Sequence, residues 1–180
     1  MRTDSLAFES EHEFRSNGEN QAEGSNGYYP KLFCGIRSTG ESYYGVGYDH
    51  SSSVATGIIP APSGYAVRRL EYAAGVLRGY VNGALDVEIS KGLPSEDMRI
   101  GQLGVFVAVG LPLVSGDSGN AFPFLGRKKY FKVWINGKLV YHLIAALDKA
   151  GRPGMFDAVG TQFYYSEGES DFIAGPVLQT

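Results

Sequence analysis

The sequence holds one cysteine in 180 residues, Cys34, so no disulfide can close within the chain and no multi-cysteine zinc site can form. Histidine is nearly as scarce: His12, His50 and His142 stand far apart, and without an H-E-x-x-H motif or a close pair a histidine metal site or triad has no support. Charge of one sign is also lacking. The formal net charge is −3, and the basic runs Arg68-Arg69 and Arg127-Lys128-Lys129 are too short to make the concentrated basic face that nucleic acid requires. No apolar run reaches the roughly 20 residues that span a bilayer. The nearest, Leu103 to Val114, is broken by Gly104, Gly110 and Pro112, so no membrane insertion is expected. Met1-Arg2-Thr3-Asp4 lacks the apolar core of a secretion signal, which points to a chain made and first kept in the cytoplasm. Helix signals are missing too. No segment joins capping residues to a sustained 3.6-residue apolar period, and the one short candidate lies around Leu143 to Lys149.

What is present favours strands. Twenty-five Gly and twelve Tyr suit tight turns and pleated surfaces, and 43% apolar against 19% charged residues suffices for one core, read as a single domain over 1–180. Ser5 to Phe14 has period two: Leu6, Phe8, His12 and Phe14 on even positions, Glu9, Glu11 and Glu13 on odd ones, which predicts a half-buried strand. Ser16 to Gly27, with two Asn-Gly pairs and almost nothing apolar, predicts a long exposed loop. Further strands are expected at Tyr28 to Ile36, Tyr43 to Tyr48, Ala55 to Ile59, Val67 to Tyr72, Val76 to Val81, Leu85 to Ile89 and Gly104 to Val109. Ala73-Ala74-Gly75 and Asn82-Gly83 supply turns, and Asn136-Gly137 joins a hairpin of Tyr130 to Ile135 and Lys138 to Ile144. Many short strands at this spacing indicate a sandwich or barrel.

The segment from Lys129 to Pro176 carries more than texture. Phe131-Lys132-Val133-Trp134-Ile135-Asn136-Gly137-Lys138-Leu139-Val140, then Leu143 to Asp148, Gly151 to Asp157, Gln162 to Tyr165 and Asp171 to Pro176, resembles the closing segment of concanavalin A-like, laminin-G-like jelly-roll modules of phage structural proteins and gut-bacterial surface proteins. Leu70-Glu71-Tyr72 and Gly79-Tyr80-Val81-Asn82-Gly83 resemble that family's central strands. Two departures stand out. Ala145 replaces the proline of the family pattern, and a first strand resembling "TGTQYIDTG" has no counterpart before Ser5. An unpaired sheet edge invites another chain, so a neighbouring subunit or virion protein is expected to cover the edge left by that strand.

The resemblance implies an all-β jelly-roll sandwich of the concanavalin A-like lectin/glucanase type, with residues 16–27 as an exposed loop and 129–176 as the closing hairpin segment. It implies a non-enzymatic phage virion protein, a head decoration, head fibre or tail component, assembled in the host cytoplasm and displaying loops toward host or mucosal glycans. The alternative is a carbohydrate-binding module of a bacterial surface protein; a glycoside hydrolase stands behind both. Expected partners are other virion proteins or like subunits in a homo-oligomer, and a glycan.

Glu9, Glu11 and Glu13 sit about 7 Å apart along one strand face, a separation that glycosidase carboxylates use. Jelly-roll glucanases carry a pattern like E-x-D-x-x-E; E-x-E-x-E without a flanking Trp is read here as a solvated sheet face, with no catalytic residue assigned. Ser115 to Gly119 contains no G-x-S-x-G elbow. Cys34 lies in an apolar strand and is read as a buried, inert thiol. The tyrosine pairs could stack on sugars or anchor an interface, one member of each being core. Tyr43, Tyr44, Asp49, His50, Asp117 and Asn120 are the candidate ligand-binding residues, and the resemblance makes calcium at Asp49 or Asp117 the candidate metal, with no other cofactor. Asp148 and Asp157 are expected to accept backbone N–H bonds in turns. Recognition is placed in the loops Gly40 to Ser53 and Gly110 to Gly126.

Overall fold

Alternating apolar and polar residues put these segments into strands, and the computed structural model, which describes residues 5–14, 20–24, 31–37, 39–48, 51–90 and 126–165, holds no helix among them. The strands are β1 (Ser5–Phe14), β2 (Asn20–Gly24), β3 (Lys31–Ile36), β4 (Glu41–Tyr48), β5 (Ser51–Pro60), β6 (Ala66–Ala73), β7 (Val76–Val81), β8 (Ala84–Ser90), β9 (Gly126–Ile135), β10 (Lys138–Leu147), β11 (Pro153–Asp157) and β12 (Gln162–Tyr164). They form an eight-stranded sheet in the order β12-β11-β10-β9-β1-β6-β7-β8 and a four-stranded sheet in the order β2-β3-β4-β5. All neighbours are antiparallel.

The turns follow the residues that can adopt positive φ. Ala74-Gly75, Asn82-Gly83 and Asn136-Gly137 all have φ between 49° and 81° at both central positions, the mirror-image turn whose twist matches a hairpin. The two asparagines do more than turn the chain. The Asn82 side chain accepts from the Val67 N–H at 2.9 Å while its own N–H donates to the Val67 carbonyl. Asn136 treats Ser5 in the same way, at 3.2 Å and 3.0 Å, so each Asn-Gly turn ties down the end of a neighbouring strand.

The inner faces make a β-sandwich. Leu6, Phe8, Leu70, Tyr72, Leu77, Phe131, Val133, Leu143 and Met155 of the large sheet share one buried cluster with Leu32, Cys34, Tyr44 and Val46 of the small one. Two close approaches fix the sheets against each other. A Cβ on Gly79 would lie 2.5 Å from the Tyr44 ring, and one on Gly57 would lie 2.1 Å from the Asp86 carboxylate, so both sites require glycine. Asp86 accepts from the Tyr44 hydroxyl at 2.8 Å and from the Ile59 N–H at 2.6 Å, linking β8 to β4 and β5. Burial, then the Cys34 thiol and Asp86 beside it, push the Tyr44 hydroxyl well above its usual range.

The all-β sandwich and its hairpins match expectation, and three readings are corrected. Residues 20–24, expected inside a loop, pair as β2 with β3. The short helix candidate at 143–149 is instead the end of β10, because Leu143 to Leu147 pair with Asp157 to Pro153. The edge expected beside the first strand does not exist: β1 is central, bonded to β6 on one side and β9 on the other by this chain's own residues. The expected strand Gly104 to Val109 lies outside the described residues.

Candidate binding face

The outward row of β1 meets two cationic neighbours in register. Glu9 stands opposite Arg69 of β6 and Lys132 of β9. Its carboxylate accepts from Arg69 Nη1 at 3.2 Å, from Lys132 Nζ at 3.3 Å and from the Tyr130 hydroxyl at 3.3 Å. Glu11 pairs with Lys129, and Glu13 lies 3.7 Å from Arg127 Nε. Lys129 reaches Glu11 because a register shift between Glu11 and His12 makes room for an extra residue on β9. All three glutamates are therefore paired with cations, and the E-x-E-x-E pattern is half of a charge ladder.

Aromatic rings lie within that ladder. Trp134 stands opposite Ala7, whose small side chain is buried although it belongs to the outward row. The Arg69 guanidinium sits 4.4 Å from the Trp134 ring while Glu9 and Glu71 clamp it, the latter at 2.6 Å. Lys132 lies 4.6 Å from the Tyr130 ring, and His142 meets that ring edge-on at 6.2 Å. Further along the sheet Phe156, Phe163 and Tyr165 form a row, their successive centroids 5.3 Å and 5.9 Å apart. The face is thus half-buried, aromatic and balanced in charge.

The family scan and the curated proteins give no match to this chain.

Beneath the face, on the inward side, a second polar group is buried. Ser10 Oγ lies 2.7 Å from His12 Nδ1, and Arg68 Nη1 lies 3.2 Å from His12 Nε2. Arginine can only donate, so Nε2 accepts, the ring proton sits on Nδ1, and Nδ1 donates to Ser10. Burial first, then Lys128 and Arg68, hold the His12 pKa well below its usual value, in keeping with a neutral ring. A serine beside a histidine suggests a nucleophile, but here the histidine already carries its proton on the serine side. The pair is fully buried, both residues at 0% exposure.

Of the expected site residues, Asp49, His50, Asp117 and Asn120 lie outside the described residues, and with them both calcium candidates. Tyr43 and Tyr44 are adjacent on β4 and point to opposite sides, yet both are buried, at 7% and 0% exposure. The expectation of one open ring in this pair is not met: Tyr44 is the inter-sheet bolt, and Tyr43 lies beneath the Arg37 guanidinium at 5.7 Å. Cys34 is buried, as expected. Asp157 accepts from the His142 and Val159 N–H groups, both at 3.0 Å, and Asp148 from those of Ala150 and Arg152, so both are turn acceptors. The Arg152 N–H, with the Tyr165 hydroxyl, holds Asp148 below the usual carboxylate range. Among the described residues no three His, Cys, Asp or Glu side chains gather to hold a metal, and no helix is long and apolar enough to cross a membrane.

The residues missed from the sequence are Arg69 and Trp134. The signal for Trp134 was the alternation Tyr130, Lys132, Trp134, which becomes one face with Glu11, Glu9 and Ala7 only once β1 and β9 pair antiparallel; Arg69 joins it through the β1–β6 pairing.

Proposed function

We propose that this chain is a non-enzymatic structural and adhesive module of jelly-roll type, carried on a phage particle as a head decoration, head fibre or tail component and assembled in the host cytoplasm. The observation that carries the non-enzymatic part is the ladder on β1. A general acid needs a carboxyl in an apolar setting, whereas Glu9 is ringed by Arg69, Lys132 and Tyr130 and Glu11 is bound to Lys129. Carboxylates so held fix the geometry of a recognition face. The virion assignment is supported by the resemblance over residues 129–176, which is analogy between folds.

A second reading, a carbohydrate-binding module of a bacterial surface protein, is favoured by Trp134 and Tyr130 standing among hydrogen-bonding side chains on one sheet face. Flat rings beside donors and acceptors suit the apolar face and hydroxyls of a sugar. Mass spectrometry of gradient-purified particles from cells that carry the gene separates the readings. Peptides of this chain in fixed ratio to the major capsid protein support the first. Their absence from particles, with retention on immobilised polysaccharide that Trp134→Ala abolishes, selects the second. Glycoside hydrolysis that Glu11→Gln abolishes overturns both.

A further inference from the structure

His12 lies directly beneath the charge ladder, next to Glu11 in sequence and on the other side of β1. Its place in the sheet is terminal. The pairing of β1 with β6 ends at His12 and Ala66, whereas β1 runs on against β9 to Phe14 and Gly126, and the register shift between Glu11 and His12 falls at the same point. Strand ends, where the ladder of hydrogen bonds is incomplete, open more readily than the middle of a sheet. The ring is wholly buried; Nε2 accepts from Arg68 Nη1 at 3.2 Å and Nδ1 donates to Ser10 Oγ at 2.7 Å. The charged groups that face it are both cations: Arg68 of β6, 1% exposed, and Lys128 of β9, whose Nζ lies 5.1 Å from the buried Phe131 ring. On β1 itself, Glu11 and Glu13 turn to the opposite face, toward Lys129 and Arg127. The small sheet and β8 bring Cys34, Tyr44 and Asp86 to the shared core, with the Asp86 carboxylate bonded to the Tyr44 hydroxyl and the Ile59 N–H.

We propose that Ser10, His12, Arg68 and Lys128 form an acid-sensitive latch under the recognition face: a proton taken up by His12 frees residues 11–14 of β1 from β9, and with them the pairs Glu11–Lys129 and Glu13–Arg127. The latch regulates the face described above and rests on that reading of it. The proton can enter only at Nε2, the lone pair that accepts from Arg68, so its arrival turns a hydrogen bond into two donors face to face. It also sets a third positive charge beside two others in a buried site, which is costly. Opening the strand end gives all three to water. The two outer ion pairs depend on the register of β1 against β9 and are lost with it. At neutral pH the module keeps the whole ladder; in acid it keeps only the part around Glu9, next to Trp134 and Ala7.

Native-state hydrogen exchange, resolved by residue with NMR and corrected for the intrinsic pH dependence of exchange, tests this. The open end binds a proton near pH 6.5 and the closed one well below it, so protection of the amides of residues 11–14 and 126–129 is expected to fall about tenfold from pH 7.5 to 5.5. Because the opening is local, that protection should change little over the first roughly 1 M urea, where the amides of the buried Leu70 and Val133 lose theirs in step with global unfolding. In His12→Gln the acid fall should vanish; circular dichroism identical to the parent shows the variant folded, and His12→Asn replaces it if it is not. No fall at the strand end, a fall that persists in the variant, or one that follows urea as Leu70 does overturns the proposal. No ligand enters this measurement, so its outcome is separate from that of the recognition reading, which particle composition and retention on polysaccharide decide.

Discussion

Gly79→Ala is the sharpest perturbation of the inter-sheet contact. The added methyl carbon would lie 2.5 Å from a Tyr44 ring carbon and 2.9 Å from another, about 1 Å inside ordinary contact. The ring cannot swing aside freely: it is fully buried and its hydroxyl is bonded to Asp86 at 2.8 Å. Overpacking of this kind costs about 1–3 kcal/mol, and weakening a hydrogen bond to a charged acceptor adds about 1 kcal/mol. We expect a loss of about 3 kcal/mol, a large share of the roughly 5–15 kcal/mol that a domain has. At this chain length that lowers Tm by about 6–12 °C. Urea unfolding followed by circular dichroism measures it, with two controls. Gly64→Ala, where the methyl meets nothing within 4 Å, should change stability by less than about 0.5 kcal/mol. In a Tyr44→Leu background the clash is gone, so Gly79→Ala should then cost less than about 1 kcal/mol. Equal cost in both backgrounds, or a negligible cost in the parent, refutes the Gly79–Tyr44 contact as the bolt between the sheets.

His12 gives a pH dependence with a definite sign. Its folded pKa is lowered and the unfolded chain titrates near 6.5, so protons bind the unfolded chain more readily below that value. Stability from this residue is complete above about pH 6.5 and falls by up to about 1.4 kcal/mol per pH unit below it; urea midpoints at pH 7.5 and 5.5 should differ in the parent and converge in His12→Gln, and a slope unchanged by that substitution contradicts the assignment. Asp157→Ala strands the His142 and Val159 N–H groups and should cost about 2–4 kcal/mol by urea unfolding. Asp157→Asn keeps an acceptor oxygen and should recover at least half of that; no recovery would show that the carboxylate charge matters more than the two bonds.

Much of the fold was legible because hairpins are local. Asn82-Gly83 and Asn136-Gly137 announce turns whose positive φ few other residue pairs tolerate, and β7 falls at Val76–Val81 where period and punctuation place it. The acceptor roles of Asp148 and Asp157 were legible for the same reason, since each bonds to residues a few positions on. Pairings across long separations were not. Nothing in Ser5–Phe14 says that β6 and β9 flank it, so the outward face of the glutamates was legible but their ion pairs with Arg69, Lys132, Lys129 and Arg127 were not. β2 was hidden because Asn20 to Gly24 holds no apolar alternation and pairs with β3 across a register shift. The tyrosine pair at 43 and 44 misled for another reason: alternation shows that the two rings part, but not that both sides of β4 are covered.

The central claim is that the β1 carboxylates hold a recognition face and do no chemistry. One assay tests it most directly: release of reducing ends from a panel of polysaccharides by the parent chain and by Glu11→Gln, with the emission of Trp134, the single tryptophan, followed in the same samples. The account predicts no turnover by either protein, and emission that shifts when Glu9→Gln loosens the Arg69 clamp. Turnover by the parent that Glu11→Gln abolishes would contradict it.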